Sequence, residues 1–345
     1  VVYDLLVVGN GIAAQTFLFE LFNSEDVKKS QNFSVAQVYS EEITPSCSMR
    51  STATVSLNGI EDGVSDLGDE LRDSFFLFQN FYHLYSPTGV EKATQAITYS
   101  DDLHKAKMIR RFKKLQINTH SPFKESFEGT KLDSYIINPL MYRSWFESQL
   151  SQFKIDRYLY FLKSFSKNID GTFDCQLFNN QVVKTKKILF CSGAFAKLYS
   201  EFFGLKDEFI NTQIVPGNYL EKKVDLQMPS FYLTIDELNC IYRTQEKTLI
   251  IGSSSMRDAT AVADLSQLKK ILETFNNFCL IPFGEINDFK LITGLRLKGV
   301  RRRPMSCALN PEKTIFTING LYKNGFSFSH LCAKKILREI NLFES

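Results

Sequence analysis

The sequence predicts an α/β protein of two domains, each discontinuous along the chain. Three observations predict it. An apolar strand, a glycine turn and a helix-like stretch open the chain at DLLVVGNGIAAQTFLFEL, residues 4–21. A second strand, glycine loop and helix close it at 314–341. Between them, several stretches alternate apolar and polar residues as antiparallel strands do. The predicted first domain takes 1–70, 135–205 and 290–345; the second, mainly antiparallel, takes 71–134 and 206–289.

Each element has a local reason. YDLLVV (3–8) is apolar nearly throughout, as a strand covered on both faces should be. A helix follows over 11–22, then a strand in FSVAQVY (33–39), which makes a parallel crossover unit. Helices are expected at 68–84 and 101–116. PLMYRSWFESQLSQF (139–153) opens with a proline suited to a first helical turn. Strands near 158–165 and 173–178 flank the Asp170-Gly171 turn. KILFC (187–191) reads as a short buried strand, and 229–252 as an antiparallel pair, FYLTI with TLIIG. A helix is expected at 265–279, a last strand at 314–318 and a last helix at 326–341.

Composition sets bounds. The 345 residues are 44% apolar and 23% charged, ordinary values for a globular protein. The 31 phenylalanines point to aromatic packing in the core. A net charge of +3 does not by itself imply a nucleic-acid partner, and the basic run KAKMIRRFKK (105–114) reads first as a solvated helix face. Seven cysteines contain no CxxC pair, and four scattered histidines offer no metal site. Reduced thiols and no signal peptide make a cytoplasmic location the expectation. No apolar run reaches membrane-spanning length.

Gly9-Asn10-Gly11-Ile12-Ala13-Ala14 fits GxGxxG with Ala14 in the last slot. The first glycine permits a tight turn, the second leaves room for a pyrophosphate, and the small last residue lets helix pack on strand. This Rossmann-like unit implies a bound dinucleotide. Its ribose acid should end the second strand. Here Ser40-Glu41-Glu42 stand there, so Glu41 is the candidate with Ser40 as substitute; two solvated glutamates are the alternative. No second motif for a nicotinamide cofactor follows.

Five later segments carry a resemblance. YIINPLMYRSWFESQL (135–150), KKILFCSGAFAKLY (186–199), QIVPGNYLE (213–221), TGLRLKGVRRRP (293–304) and FTINGLYKNGFSFSHLCAKKIL (316–337) resemble, in order, segments of the glycine/D-amino acid oxidase family of FAD enzymes. The resemblance implies elongated, non-covalent FAD and an antiparallel substrate domain over the flavin. Some members tether flavin through Cys or His; Cys47 and Cys307 are the thiols in segments that approach the ring. The implied cofactor residues are Ser51 and Thr52, Gly193 and Ala194, and Asn324, Gly325, Phe326 and Ser327 at the last helix. Arg296 matches the arginine that grips a substrate carboxylate, although the family's following proline is absent. Tyr232 matches a strand tyrosine over the substrate. The implied activity is hydride transfer to FAD from the carbon of a small amine or amino acid, with oxygen or another electron acceptor. Two rivals stay open: a flavoprotein modifying a tRNA base or a partner protein, docked through 105–114 and the aromatic 75–85 run, and a flavin-binding scaffold without turnover.

Overall fold

The computed structural model describes residues 1–29, 33–40, 46–58, 65–103, 105–106, 115–118, 123, 126–197, 199, 211–254 and 264–340. Three sheets form its frame. The first has six strands in the order Met305–Ala308, Ile315–Asn319, Ile188–Phe190, Leu5–Val8, Val35–Val38, Ile155–Tyr158. All its neighbours are parallel except the edge pair Met305–Ala308 with Ile315–Asn319. The chain's first and last βα units therefore meet in one sheet. Helices α1 (Ile12–Asn23) and α6 (Gly325–Glu339) pack on it, and Leu5, Val7, Phe17, Leu21, Phe316, Phe328 and Cys332 share a buried core there. The expected strand at 3–8 divides at Asp4. Val2–Tyr3 joins a four-stranded sheet with Val182–Thr185, Phe173–Leu177 and Leu162–Lys167, while Leu5–Val8 joins the parallel sheet. Asp4 holds this switch by accepting bonds from Ser34 N and Oγ and from the Lys186 ammonium.

The third sheet has nine strands. Its main path runs Lys290–Lys298, Gln213–Lys223, Thr248–Gly252, Leu238–Arg243, Phe231–Ile235, Val90–Thr98, Ser126–Ile137, Thr54–Ser56, with Leu115–Asn118 beside Ser126–Ile137. Only Phe231–Ile235 with Val90–Thr98 is parallel. Lys290–Lys298 and Thr54–Ser56, grouped by sequence with the parallel unit, pair in this large sheet.

Among the remaining helices, α2 is Glu25–Lys29, α3 is Asp66–Tyr85, α4 is Pro139–Leu150 and α5 is Leu265–Asn277. Two expectations need correction. Residues 115–116 lie in a strand, not a helix; residues 107–114 fall outside the described ones. FYLTI does not pair with TLIIG, because Leu238–Arg243 lies between them. Its hairpin turns at Asp236-Glu237, both left-handed at φ 49° and 67°. That two-residue turn usually announces itself with Asn-Gly or Asp-Gly, which Asp-Glu does not resemble.

No described helix is long and apolar enough to cross a membrane.

Candidate cofactor and substrate cavity

The continuous apolar run Leu5–Val8 leads straight into Gly9, where the chain turns at φ 126°. A Cβ on Gly9 would sit 2.3 Å from Cys191 O, so only glycine lets this turn pass the neighbouring strand end. Gly11 then starts α1 in an extended conformation and has no side chain to cap the helix; the first helical N–H, that of Ile12, is taken by Ser48 Oγ, and the next ones stay open. At the other end of the chain, α6 begins after Asn324, again with no side-chain cap. By contrast, α3, α4 and α5 are capped by Ser65, Asn138 and Asp264. A helix start leaves backbone N–H groups in need of acceptors, and an uncapped one keeps them for a ligand. Both starts open into the same cavity of about 430 Å³, and a Cβ on Gly325 would lie 3.5 Å from Ile12 Cγ2.

The cavity collects most of the sequence-predicted residues. Gly9, Gly11, Ser40, Ser51, Gly193, Ala194, Gly325, Phe326 and Arg296 line it. Ala14 and Ser327 do not; both are buried behind the helix starts. Thr52 and Asn324 flank the lining, and the Thr52 carbonyl accepts from Arg243 Nη2 at 3.2 Å. Glu41 lies outside the described residues. Tyr232 is buried within the large sheet and does not line the cavity. Its hydroxyl donates to Asn239 Oδ1 at 3.3 Å and accepts from Thr54 Oγ1 at 3.4 Å. Strand alternation and the Thr54–Asn239 pair hold it there.

Of the arginines in 293–304, Arg296 alone reaches the cavity. Arg301 and Arg302 are exposed, and Arg303 pairs with Asp66 at 2.6 Å. Arg296 lies on Lys290–Lys298 opposite Val215, two residues from Gly217 on the facing strand. A Cβ on Gly217 would stand 1.9 Å from Arg296 Nη2, so the guanidinium lies flat in the space that Gly217 leaves. Nη2 donates to Ser254 O at 3.3 Å, and Cζ stands 6.0 Å from the Tyr322 ring centre.

Several lining residues carry no strong local signal. Ser46 and Ser192 hydroxyls are buried there with no partner among the described residues. The Ser48 hydroxyl accepts from Ile12 N at 3.0 Å, and the Asn319 amide oxygen accepts from Gly193 N at 2.7 Å. Arg50, Cys47, Tyr322 and Lys323 complete the polar wall. Burial pushes the Cys47 thiol above its usual range, against the pull of Arg296. Cys307 does not line the cavity. The orphaned hydroxyls and the N–H groups left open at the two helix starts fit a polyoxygenated dinucleotide.

No protein-family model and no curated protein matches this sequence. Solved structures do. L-α-Glycerophosphate oxidase from Mycoplasma pneumoniae, reduced with dithionite and with FAD bound, is 14% identical with a TM-score of 0.81, covering 99% of this chain and 95% of that one. The chain has the fold of the glycine/D-amino acid oxidase family. Glycine oxidase from Geobacillus kaustophilus is 13% identical with a TM-score of 0.78, covering 99% and 95%. L-Proline dehydrogenase from P. horikoshii is 12% identical with a TM-score of 0.77, covering 100% and 94%.

Within the glycine-oxidase fold, the aromatic 75–85 run divides between core and surface. Phe75, Phe78 and Phe81 of α3 are buried against Tyr135, Tyr142 and Phe146. Phe76, Leu84 and Tyr85 are exposed. Most of the 105–114 run lies outside the described residues.

Proposed function

We propose that this protein is an FAD-dependent oxidoreductase that oxidises the C–N bond of a small amine or amino acid by hydride transfer to the flavin. One observation carries the reading: two helix starts whose N-cap residues supply no side-chain cap, and Arg296, converge on one cavity. Bound FAD supplies the electron sink for the hydride. The start of α1, with Gly9, Gly11 and Ala14, would take the pyrophosphate, and Ser40 or Glu41 the ribose. Ser51, Thr52, Gly193, Ala194 and the Asn324–Ser327 turn would hold the rest, with the α6 N–H groups favouring negative charge beside them. Arg296 would grip a substrate carboxylate through its planar fork. The described lining contains no histidine and no carboxylate, and none is required if the amine arrives as the free base. Desolvation raises both lining thiols, Cys47 and Cys191, above their usual range, which supports non-covalent attachment.

Heat release of the cofactor from purified protein, followed by chromatography, tests the cofactor half of the reading. FAD in the supernatant is the expected result; FMN or no flavin overturns it. Retained FAD that no amine or amino acid reduces would favour a scaffold without turnover.

A further inference from the structure

The turn that opens α1 rests on three buried amides. Asn10 stands between Gly9 and Gly11 and lines the cavity. Gln37, on the strand Val35–Val38, is fully buried, and Gln15, on α1, nearly so. Gln37 Nε2 donates to Gly9 O at 2.9 Å and to Asn10 Oδ1 at 3.2 Å. Gln15 Nε2 donates to the same Oδ1. Gln37 Oε1 faces Arg157 Nε at 3.5 Å, from the neighbouring strand.

These contacts fix which way each amide points. A backbone carbonyl only accepts and a guanidinium only donates, so Gln37 turns Nε2 to Gly9 O and Oε1 to Arg157. Gln37 Nε2 then meets Asn10 through an oxygen, which sets Oδ1 against both glutamines and Nδ2 away from them. One glutamine nitrogen thereby takes up two acceptor oxygens of the turn, the Gly9 carbonyl and Asn10 Oδ1. A phosphate arriving there meets donors instead of repelling oxygens. An amide nitrogen carries two protons, so a neighbour on one leaves the other for the cavity. Beside Gly11, Ser46 leaves a second group for a polar ligand. Its Cβ lies 4.0 Å from where a Gly11 Cβ would stand, and its buried hydroxyl has no partner among the described residues.

We propose that Asn10 binds the cofactor's pyrophosphate through its side-chain Nδ2, and that Gln37 is the positioning residue that aims it. This rests on the reading of the cavity as an FAD site. It adds a side-chain donor to the backbone donors of the α1 start, at a position that the GxGxxG pattern leaves open.

The test is FAD release from the full-length, FAD-loaded protein, read as free flavin fluorescence on dilution. ADP and adenosine serve as competitors, each giving its own binding constant. Asn10→Asp is the deciding variant. Its carboxylate accepts from Gln15 and Gln37 as the amide oxygen does, yet it offers the phosphates an anion in place of a donor. FAD and ADP should bind about 100-fold or more weakly, while adenosine, which lacks the phosphates, should change by less than about twofold. Asn10→Ala should weaken FAD and ADP by about 10- to 100-fold, the weight of one charge-assisted hydrogen bond. Gln37→Glu can no longer donate to either oxygen and should turn Asn10 round. ADP should then bind about tenfold more weakly with adenosine unchanged, a split that a purely structural role would not produce. Asn10→Asp holding FAD and ADP as tightly as the wild type, or more tightly, would overturn the proposal and leave Asn10 an acceptor for the two glutamines. An equal loss for ADP and adenosine would overturn it too, placing Asn10 at the ribose or in the frame of the cavity. Gln37→Glu with unchanged ADP binding would remove the positioning role. Each of these outcomes leaves the FAD reading standing, because the wild-type protein still holds FAD. A wild-type protein that binds no FAD ends that reading and the proposal together.

Discussion

Gly217→Ala isolates the geometry of Arg296. The added methyl carbon would lie 1.9 Å from Nη2, 2.2 Å from Cζ and 2.9 Å from Nε. Ordinary contact needs about 3.5 Å, so the guanidinium must retreat by roughly 1.5 Å. The backbone has no objection, because Gly217 does not occupy the left-handed region and sits mid-strand in Gln213–Lys223. Alanine there restricts the unfolded chain, so stability should change by less than about 1 kcal/mol. The flexible end of an arginine gives way more easily than the strand. What is lost is aim. A charge-assisted hydrogen bond contributes about 1.5–3 kcal/mol, so kcat/KM for a carboxylated substrate should fall by about 10- to 150-fold. Steady-state kinetics, Tm and FAD content are the assay, repeated in an Arg296→Ala background. There Gly217→Ala should have almost no further effect. An equal kinetic loss in that background would refute the slot, and so would a Gly217→Ala enzyme with unchanged kcat/KM.

Other outcomes follow from the same cavity. Gly11→Leu should abolish FAD retention, since its Cβ faces the cavity with only Ser48 Oγ, at 3.4 Å, close by; full flavin occupancy would contradict this. Arg296→Lys should raise KM for carboxylated substrates and cost about 2–4 kcal/mol in kcat/KM, because a point charge does not replace the fork. Arg302→Ala, at an exposed position, should do much less, and identical behaviour of the two variants would undo the assignment. Acid precipitation should leave the yellow colour in the supernatant; colour in the pellet would show a covalent tether, with Cys47 the thiol to replace first. Asp4→Asn should destabilise at neutral pH by about 1–2 kcal/mol. Burial alone would raise the Asp4 carboxyl, but bonds from Lys186 and Ser34 hold it below 3.8. The stabilisation is therefore complete above 3.8 and fades as pH falls through the lower native value, so Tm of the two proteins should converge in acid. A Tm gap that persists unchanged in acid would contradict it.

The parallel frame was legible because its signals are local. Leu5–Val8, Gly9, Gly11 and α1 announce themselves within eighteen residues, and α4 within its Asn138-Pro139 start. The large sheet was harder to read. Its long strands Val90–Thr98 and Ser126–Ile137 mix polar and apolar residues because one face is covered unevenly, and the Asp236-Glu237 turn lacks a glycine. The site divides in the same way. Glycines and the Arg296 segment stood out in sequence. Ser46, Ser192, Asn319 and Lys323 reach the cavity only because distant strand ends and loops meet there, and no local pattern marks such a meeting. The setting of Tyr232 was not legible because a strand tyrosine looks alike on either face; its burial with Asn239 and Thr54 depends on the sheet's register.

The central claim is C–N oxidation by bound FAD. Anaerobic titration of the purified yellow protein with amines and amino acids, and with their hydroxy-acid counterparts, tests it most directly. The account expects the flavin to bleach fully with an amine, with one equivalent of ammonia or released amine formed per flavin after hydrolysis. Bleaching by hydroxy acids alone, or an oxidised flavin that no amine reduces, would contradict it.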